Sequence, residues 1–113
     1  MNIETIRNIC NMLPSVTEDI KWGNDLCFLI GGKIFCVVPL EIPLKVSLKV
    51  TDEEYDTLTE QQGIIPAPYA ARNKWILVEN ANLFAPENWK FYITQSYNMV
   101  RARVPKGVLN KLD

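Results

Sequence analysis

Basic residues near the end of the chain are the clearest chemical signal in this sequence. The segment from Asn98 to Leu112 has no acidic residue and four cations, Arg101, Arg103, Lys106 and Lys111. Cations at the end of a helix interact favourably with the helix dipole, which explains Arg101 and Arg103 without any ligand. That explanation does not cover Lys106, which follows Pro105. A phosphate-binding patch made of Arg101, Arg103 and Lys106 is the alternative interpretation.

Two other basic segments have the residue types of a nucleic-acid surface. Lys45 and Lys49 alternate with apolar residues and are expected on the wet face of a strand, where lysine either meets phosphate or keeps the strand soluble. Arg72 and Lys74 precede Trp75. A tryptophan in a basic segment can stack on a base, although a strand tryptophan is more often part of the core.

Several kinds of catalytic and metal site are excluded or disfavoured by composition. The chain has no histidine, which removes the commonest general base and the commonest transition-metal ligand. Its three cysteines have no CxxC spacing. The acidic run from Asp52 to Asp56 is expected at the start of a helix, where the dipole favours carboxylates. Neither an enzyme, nor a metal site, nor a cofactor is predicted.

The chain of 113 residues is expected to form one domain over residues 1–113. Residues 1–60 hold five Lys/Arg against ten Asp/Glu, and residues 61–113 hold seven against three, so the second part is the basic one. No apolar run reaches the ~20 residues that cross a bilayer. A polar start and an odd number of cysteines favour a cytoplasmic protein without a membrane partner. The sequence indicates no oligomeric state.

A β-hairpin and a third strand are expected to position these side chains. Two apolar runs flank Gly31-Gly32, and glycine provides the positive φ that a two-residue turn requires. Ile30 should therefore face Lys33. The next run, Leu44 to Val50, alternates apolar and polar residues, as a half-buried strand does.

The hairpin register also makes a prediction about the cysteines. Counting outward from a two-residue loop places Phe28 opposite Phe35 and Cys27 opposite Cys36. The thiols of Cys27 and Cys36 would then be unbonded neighbours, with Cys10 apart on the first helix. Cytosolic thiols generally stay reduced, so a disulfide is not expected.

The remaining elements predict an α+β two-layer sandwich. Asn2 caps a helix that Pro14 ends, and Thr51 with Glu54 forms a capping box. Residues 64–69 contain two prolines and are expected to be an irregular connection. A strand over residues 74–79 and a long helix from Pro86 follow. The resulting order predicts an antiparallel sheet with the N- and C-terminal helices packed on one face.

Short motifs spread along the chain resemble the MmcQ/YjbR family. In order they are Leu13-Pro14, Trp22-Gly23, Gly31-Gly32-Lys33 followed by Ile34-Phe35, Leu48-Lys49, Pro68-Tyr69 with Trp75 six residues later, Ser96-Tyr97 and Pro105-Lys106. The resemblance implies a CyaY-like sandwich, related in shape to frataxins. It also implies a DNA-binding protein without established enzymatic activity.

Two departures limit what the resemblance implies. Some members of the family carry a histidine after the Pro-Tyr pair, where this chain has Ala70 and Ala71. Frataxins bind iron through an acid-rich first helix, whereas the first helix here has Glu4 as its acidic residue. We therefore expect a non-catalytic module that binds DNA weakly through phosphate contacts. The alternative is a protein-interaction or small-ligand module that uses the open face of the sheet.

Overall fold

The computed structural model describes residues 1–68 and 70–112. Within them the chain forms four helices, α1 (Ile3–Asn11), α2 (Asp52–Leu58), α3 (Pro86–Arg101) and α4 (Lys106–Leu112). The strands are β1 (Thr17–Lys21), β2 (Asp25–Ile30), β3 (Lys33–Pro39), β4 (Val46–Lys49), β5 (Ile64–Pro66) and β6 (Trp75–Val78). No helix of the described residues is long and apolar enough to cross a bilayer.

One antiparallel sheet carries the helices on a single face. Its strand order is β1-β2-β3-β4-β6-β5, and each neighbouring pair is antiparallel. The core lies between the inward residues of the sheet and the apolar faces of α1 and α3. Its largest fully buried side chains include Trp89, Phe28, Phe35, Ile6 and Ile93. The α+β two-layer fold predicted from the sequence is confirmed.

The predicted starts of α1, α2 and α3 are confirmed by the structure. The Asn2 side chain accepts a hydrogen bond from the Thr5 amide, and Thr51 and Glu54 form a reciprocal capping box at α2. Pro86 occupies the first turn of α3, where its missing N–H costs nothing. These caps depend on residues three apart in the chain, so the sequence alone indicates them.

The β2–β3 hairpin has the predicted turn but contains a bulge. Ile30 faces Lys33 across Gly31 and Gly32, which have φ values of +57° and +82°. The register then shifts between Phe28 and Leu29, so that Phe28 pairs with Cys36 instead of Phe35. A bulge places two residues opposite one and leaves the extra residue outside the ladder.

The prediction that Cys27 faces Cys36 is therefore wrong. Cys27 pairs with Val37, whereas Cys36 points into the helix-covered core, where Cys10 also lies. The Cys10 and Cys36 thiols are neighbours, and this contact together with burial raises the pKa of Cys10 well above its ordinary value. All three thiols are free, as expected, but the neighbouring pair is Cys10 and Cys36.

Two other regions differ from the predictions. Residues 64–66 are not irregular: they form β5, an edge strand paired with β6. An edge strand tolerates Pro66, because its missing N–H can face away from the ladder. Tyr69 lies outside the described residues. Beyond Pro105 the chain forms α4, which the sequence analysis did not predict.

Candidate functional site

Lys49 and Trp75 face each other across β4 and β6. Their neighbours Leu48 and Ile76 are fully buried in the helix-covered core, so Lys49 and Trp75 point to the open face of the sheet. Side chains at directly opposed positions of an antiparallel pair are in contact range. The structure therefore places the side chains of Lys49 and Trp75 at opposed positions on a face that no described helix covers.

Lys49 is also close to two other basic segments. Its ammonium group donates a hydrogen bond to the carbonyl of Asn73, which lies between Arg72 and Lys74. Burial lowers the pKa of Lys49, and the positive charge of Arg103 lowers it further, while Asp52 has a smaller opposing effect. Lys49 and Arg103 thus lie near each other at the turn end of the sheet, next to the loop that carries Arg72 and Lys74. We call these four residues the basic rim.

The backbone fixes the loop members of the rim. Lys74 adopts a left-handed conformation, with φ of +63°, which ends a 3-10 turn over Ala71–Asn73 and starts β6. Its ammonium group lies 4.8 Å from the centre of the Tyr55 ring, within the range of a cation–π interaction. Arg72 is exposed. Neither residue makes an ion pair with a described acidic residue.

Arg103 is positioned by its neighbour Val104. Val104 is buried against Gly31 at the β2–β3 turn, which fixes the chain after α3 over that end of the sheet. Arg103 itself is exposed and has no ion pair with the acids that the structure describes.

The other predicted cations lie apart from the rim. Lys45 is at the opposite end of β4 and makes an ion pair of 2.7 Å with Glu41. Arg101 is half-buried in a crevice where α3 meets the end of α4. Lys106 is exposed at the first position of α4. The eight predicted residues are therefore not one surface: the structure brings together Lys49, Arg72, Lys74, Trp75 and Arg103.

A groove of about 740 Å³ runs across the open face beside the rim. Its floor is made by strand residues, Ile34, Val37, Ser47 and Leu77. One wall is made by Ala67, Pro68, Ala70 and Trp75, and the other by Trp22, Asp25 and Pro39. We call this the open-face groove. The volume lies within the ~300–1,000 Å³ that is usual for small-molecule sites.

Trp22 is an exposed aromatic residue of this surface that the sequence does not indicate as a site residue. It is 72% exposed and has a left-handed backbone, with φ of +52°, at the tip of the β1–β2 hairpin. That conformation is rare for a bulky residue and costs free energy. In the sequence, the Trp22-Gly23 pair stands out only as a family motif. Ile42, in the β3–β4 loop, is 98% exposed.

Outside the basic rim and the open-face groove, the shifted pKa values have structural causes. Arg7 donates two hydrogen bonds to Glu18, which lowers the pKa of Glu18 and raises that of Arg7. Burial, together with the charge of Asp25, raises the pKa of Cys27 to about 11. Among the described residues no three Cys, Asp or Glu side chains are grouped so as to hold a metal ion.

Comparison with known proteins identifies the family. The YjbR family model matches residues 11–99, most of the chain. The chain belongs to the YjbR family. The resemblance inferred from its motifs is therefore confirmed. No curated protein matches the chain.

Two solved structures have the same fold. A Deinococcus radiodurans protein with a DUF419 domain superposes with a TM-score of 0.86 and 22% identity, over 98% of this chain and 87% of that one. A Pseudomonas syringae protein, solved as a structural-genomics target, superposes with a TM-score of 0.74 and 20% identity, over 89% of this chain and all of that one. At such identities the likeness establishes the fold alone.

Proposed function

We propose that this protein is a cytoplasmic, non-catalytic module that binds nucleic acid through phosphate contacts from the basic rim. The observation that carries the proposal is the convergence of Lys49, Arg103 and the Arg72–Lys74 segment at one end of the sheet. These residues come from three places in the sequence, so their proximity is a property of the fold.

The electrostatics of the rim support an anionic ligand. Arg103 lowers the pKa of Lys49, which means that the two positive charges repel each other in the free protein. A phosphate between them would remove that repulsion and release condensed counterions from the nucleic acid. The ammonium group of Lys49 has three donors, and its bond to Asn73 uses one.

The test is a titration of labelled DNA at several salt concentrations. If four rim cations contact duplex phosphates, the slope of log K against log salt is about −3.6, since each contact contributes about −0.9. Replacing Lys49, Arg72 and Arg103 together with Gln should weaken binding and reduce the magnitude of that slope by about 2.7. Lys74 stays unchanged, because its left-handed backbone and its contact with Tyr55 would complicate the result.

Two control variants locate the site. Lys45→Gln removes a cation that is already paired with Glu41 at the far end of β4, and should leave affinity unchanged. A double change of Arg101 and Lys106 to Gln tests the part of the predicted tail that lies outside the rim. Binding that is insensitive to salt, or that is lost in the Lys45 variant but kept in the rim variant, contradicts the proposal.

A second candidate is a module that binds a small apolar ligand or a protein segment on the open face of the sheet. The open-face groove, with its exposed Trp22, is the observation that favours it. The test is a titration with the apolar anion anilinonaphthalene sulfonate. Saturable binding to the folded protein that Trp22→Asn weakens, without any DNA binding, would favour this candidate over the first.

A further inference from the structure

We infer that the open-face groove and the basic rim form one site for single-stranded nucleic acid, with bases in the groove and phosphates on the rim. The inference rests on the proposed function and names its ligand class. A duplex could meet the rim, but its bases are stacked and paired and would not reach the floor of the groove.

The link between the two parts is the Lys49–Trp75 pair. Trp75 is a wall of the groove and Lys49 belongs to the rim, and the two face each other across β4 and β6. A base that stacks on the indole ring of Trp75 would place its own phosphate near the ammonium group of Lys49. Proteins that bind single-stranded nucleic acid combine aromatic rings that stack on bases with positive charges that contact the phosphate backbone.

Trp22 provides a second aromatic surface at the other end of the groove. It is exposed and held by a strained backbone, and its indole ring lines the groove without being part of the core. Backbone strain at an exposed aromatic side chain is an observation from which a functional role can be inferred.

The distance between the two tryptophans suits a short strand. Trp75 and Trp22 are separated by three strand spacings and about four residues along the strands, which is about 20 Å. A stacked strand rises about 3.4 Å per nucleotide, so at most about six nucleotides would bridge the two rings, and fewer if the strand is extended.

The charges around the groove determine where the phosphates of the bound strand lie. Asp25 lies near Trp22 and carries a carboxylate, whereas the rim cations lie at the Trp75 end. Phosphates of the nucleotides at the Trp75 end would therefore contact the rim, whereas a nucleotide at Trp22 would be held by base stacking. The floor residues Ile34, Val37 and Leu77 are apolar, and the hydroxyl of the fourth, Ser47, already donates a hydrogen bond to the carbonyl of Ile76. Such a floor favours base faces over base edges and predicts little sequence preference.

The experiment compares the binding of three labelled DNAs at one low salt concentration. They are a short oligothymidylate, an abasic strand of the same length, and a duplex of the same length. The oligothymidylate should bind at least about fivefold more tightly than the abasic strand, because stacking adds to phosphate binding. Its binding should also quench the fluorescence of the groove tryptophans.

Two variants test the groove itself, and a third is their control. Trp22→Asn and Trp75→Leu should each reduce the preference for oligothymidylate over the abasic strand by about fivefold or more, and should leave the abasic strand bound as before. Phe91→Ala is the matched control, since Phe91 is 56% exposed on the outer side of α3, away from the groove. Thermal melting checks the fold of each variant, and asparagine at position 22 tolerates the left-handed backbone better than tryptophan.

The outcomes separate the inference from the function on which it rests. If the oligothymidylate and the abasic strand bind equally, or if Trp22→Asn and Trp75→Leu both keep the preference while folded, the inference is wrong although the rim still binds phosphates. If the duplex binds more tightly than the single strand, the inference is likewise overturned. If none of the three DNAs binds, the proposed function and this inference both fail.

Discussion

Val104 packs directly onto Gly31 at the β2–β3 turn. A Cβ atom added to Gly31 would lie 2.5 Å from Cγ1 of Val104, closer than real side chains approach. The contact joins the chain after α3 to the turn end of the sheet, and so sets where Arg103 stands relative to Lys49. The packing of one methyl group on a glycine thus determines part of the basic rim.

Gly31→Ala should destabilise the protein more than Gly32→Ala. Both glycines have positive φ, which costs alanine about 1–2 kcal/mol. Only Gly31 has a neighbour in the way, since nothing lies within 4 Å of a Cβ on Gly32. We expect an additional cost of at least about 1 kcal/mol for Gly31→Ala, measured by urea unfolding.

A double-mutant cycle assigns that difference to Val104. Val104→Ala should recover a measurable part of the cost of Gly31→Ala, and none of the cost of Gly32→Ala, because only the first pair is in contact. Equal costs for the two glycine variants, or additivity in the first cycle, would contradict the packing described.

The buried hydroxyl of Ser96 stabilises the β-bulge. It donates a hydrogen bond of 2.7 Å to the carbonyl of Phe35, the bulged residue, and accepts one of 3.0 Å from the amide of Lys49. Ser96→Ala leaves both backbone groups without this partner, and should reduce the free energy of unfolding by about 1–3 kcal/mol. Asn98→Ala, at an exposed position of the same helix, is the control and should change it by less than about 0.5 kcal/mol.

The hydrogen bond from Ser96 to Phe35 also explains why the sequence predicts the turn of the hairpin but not its bulge. The turn was predictable, because Gly31 and Gly32 require nothing beyond their own backbone freedom. The bulge was not, because Phe35 depends on a hydroxyl 61 residues further along the chain. The run from Ile34 to Val38 is apolar throughout, so it has no alternation from which the change of face could be read.

The candidate site likewise has one part that the sequence predicts and another that depends on the fold. Alternation along β4 placed Lys49 on the open face, which the structure confirms. That Trp75 lies opposite Lys49 follows from pairing between strands 26 residues apart, and the approach of Arg103 follows from the Val104–Gly31 contact. Neither relation is local, so the sequence indicated the residue types and the fold supplied their grouping.

The thiols should react only after unfolding. Cys10, Cys27 and Cys36 are fully buried, and burial raises the pKa of Cys27 to about 11, which leaves little thiolate at neutral pH. Titration with a thiol reagent should give no reaction in the folded state and three thiols in denaturant. A disulfide between Cys27 and Cys36 after mild oxidation, found by mass spectrometry of peptides, would contradict the bulged register.

The Arg7–Glu18 pair should make stability depend on acid. Arg7 donates hydrogen bonds of 2.8 and 2.9 Å to the two oxygens of Glu18, which joins α1 to β1 and lowers the pKa of Glu18. A carboxylate whose pKa is lower in the folded state stabilises the protein above its unfolded pKa, about 4.3, and that stabilisation is lost as pH falls through the folded pKa. Glu18→Gln should therefore reduce the free energy of unfolding by about 1 kcal/mol or less at neutral pH, and the difference from the parent should shrink in acid.

Glu4→Gln is the control, since Glu4 makes one longer contact of 3.3 Å with the same arginine and is the more exposed of the two. Urea unfolding of the three proteins at several pH values between neutral and acid tests this, and a Glu18→Gln deficit that stayed constant with pH would show that the pair is not the cause.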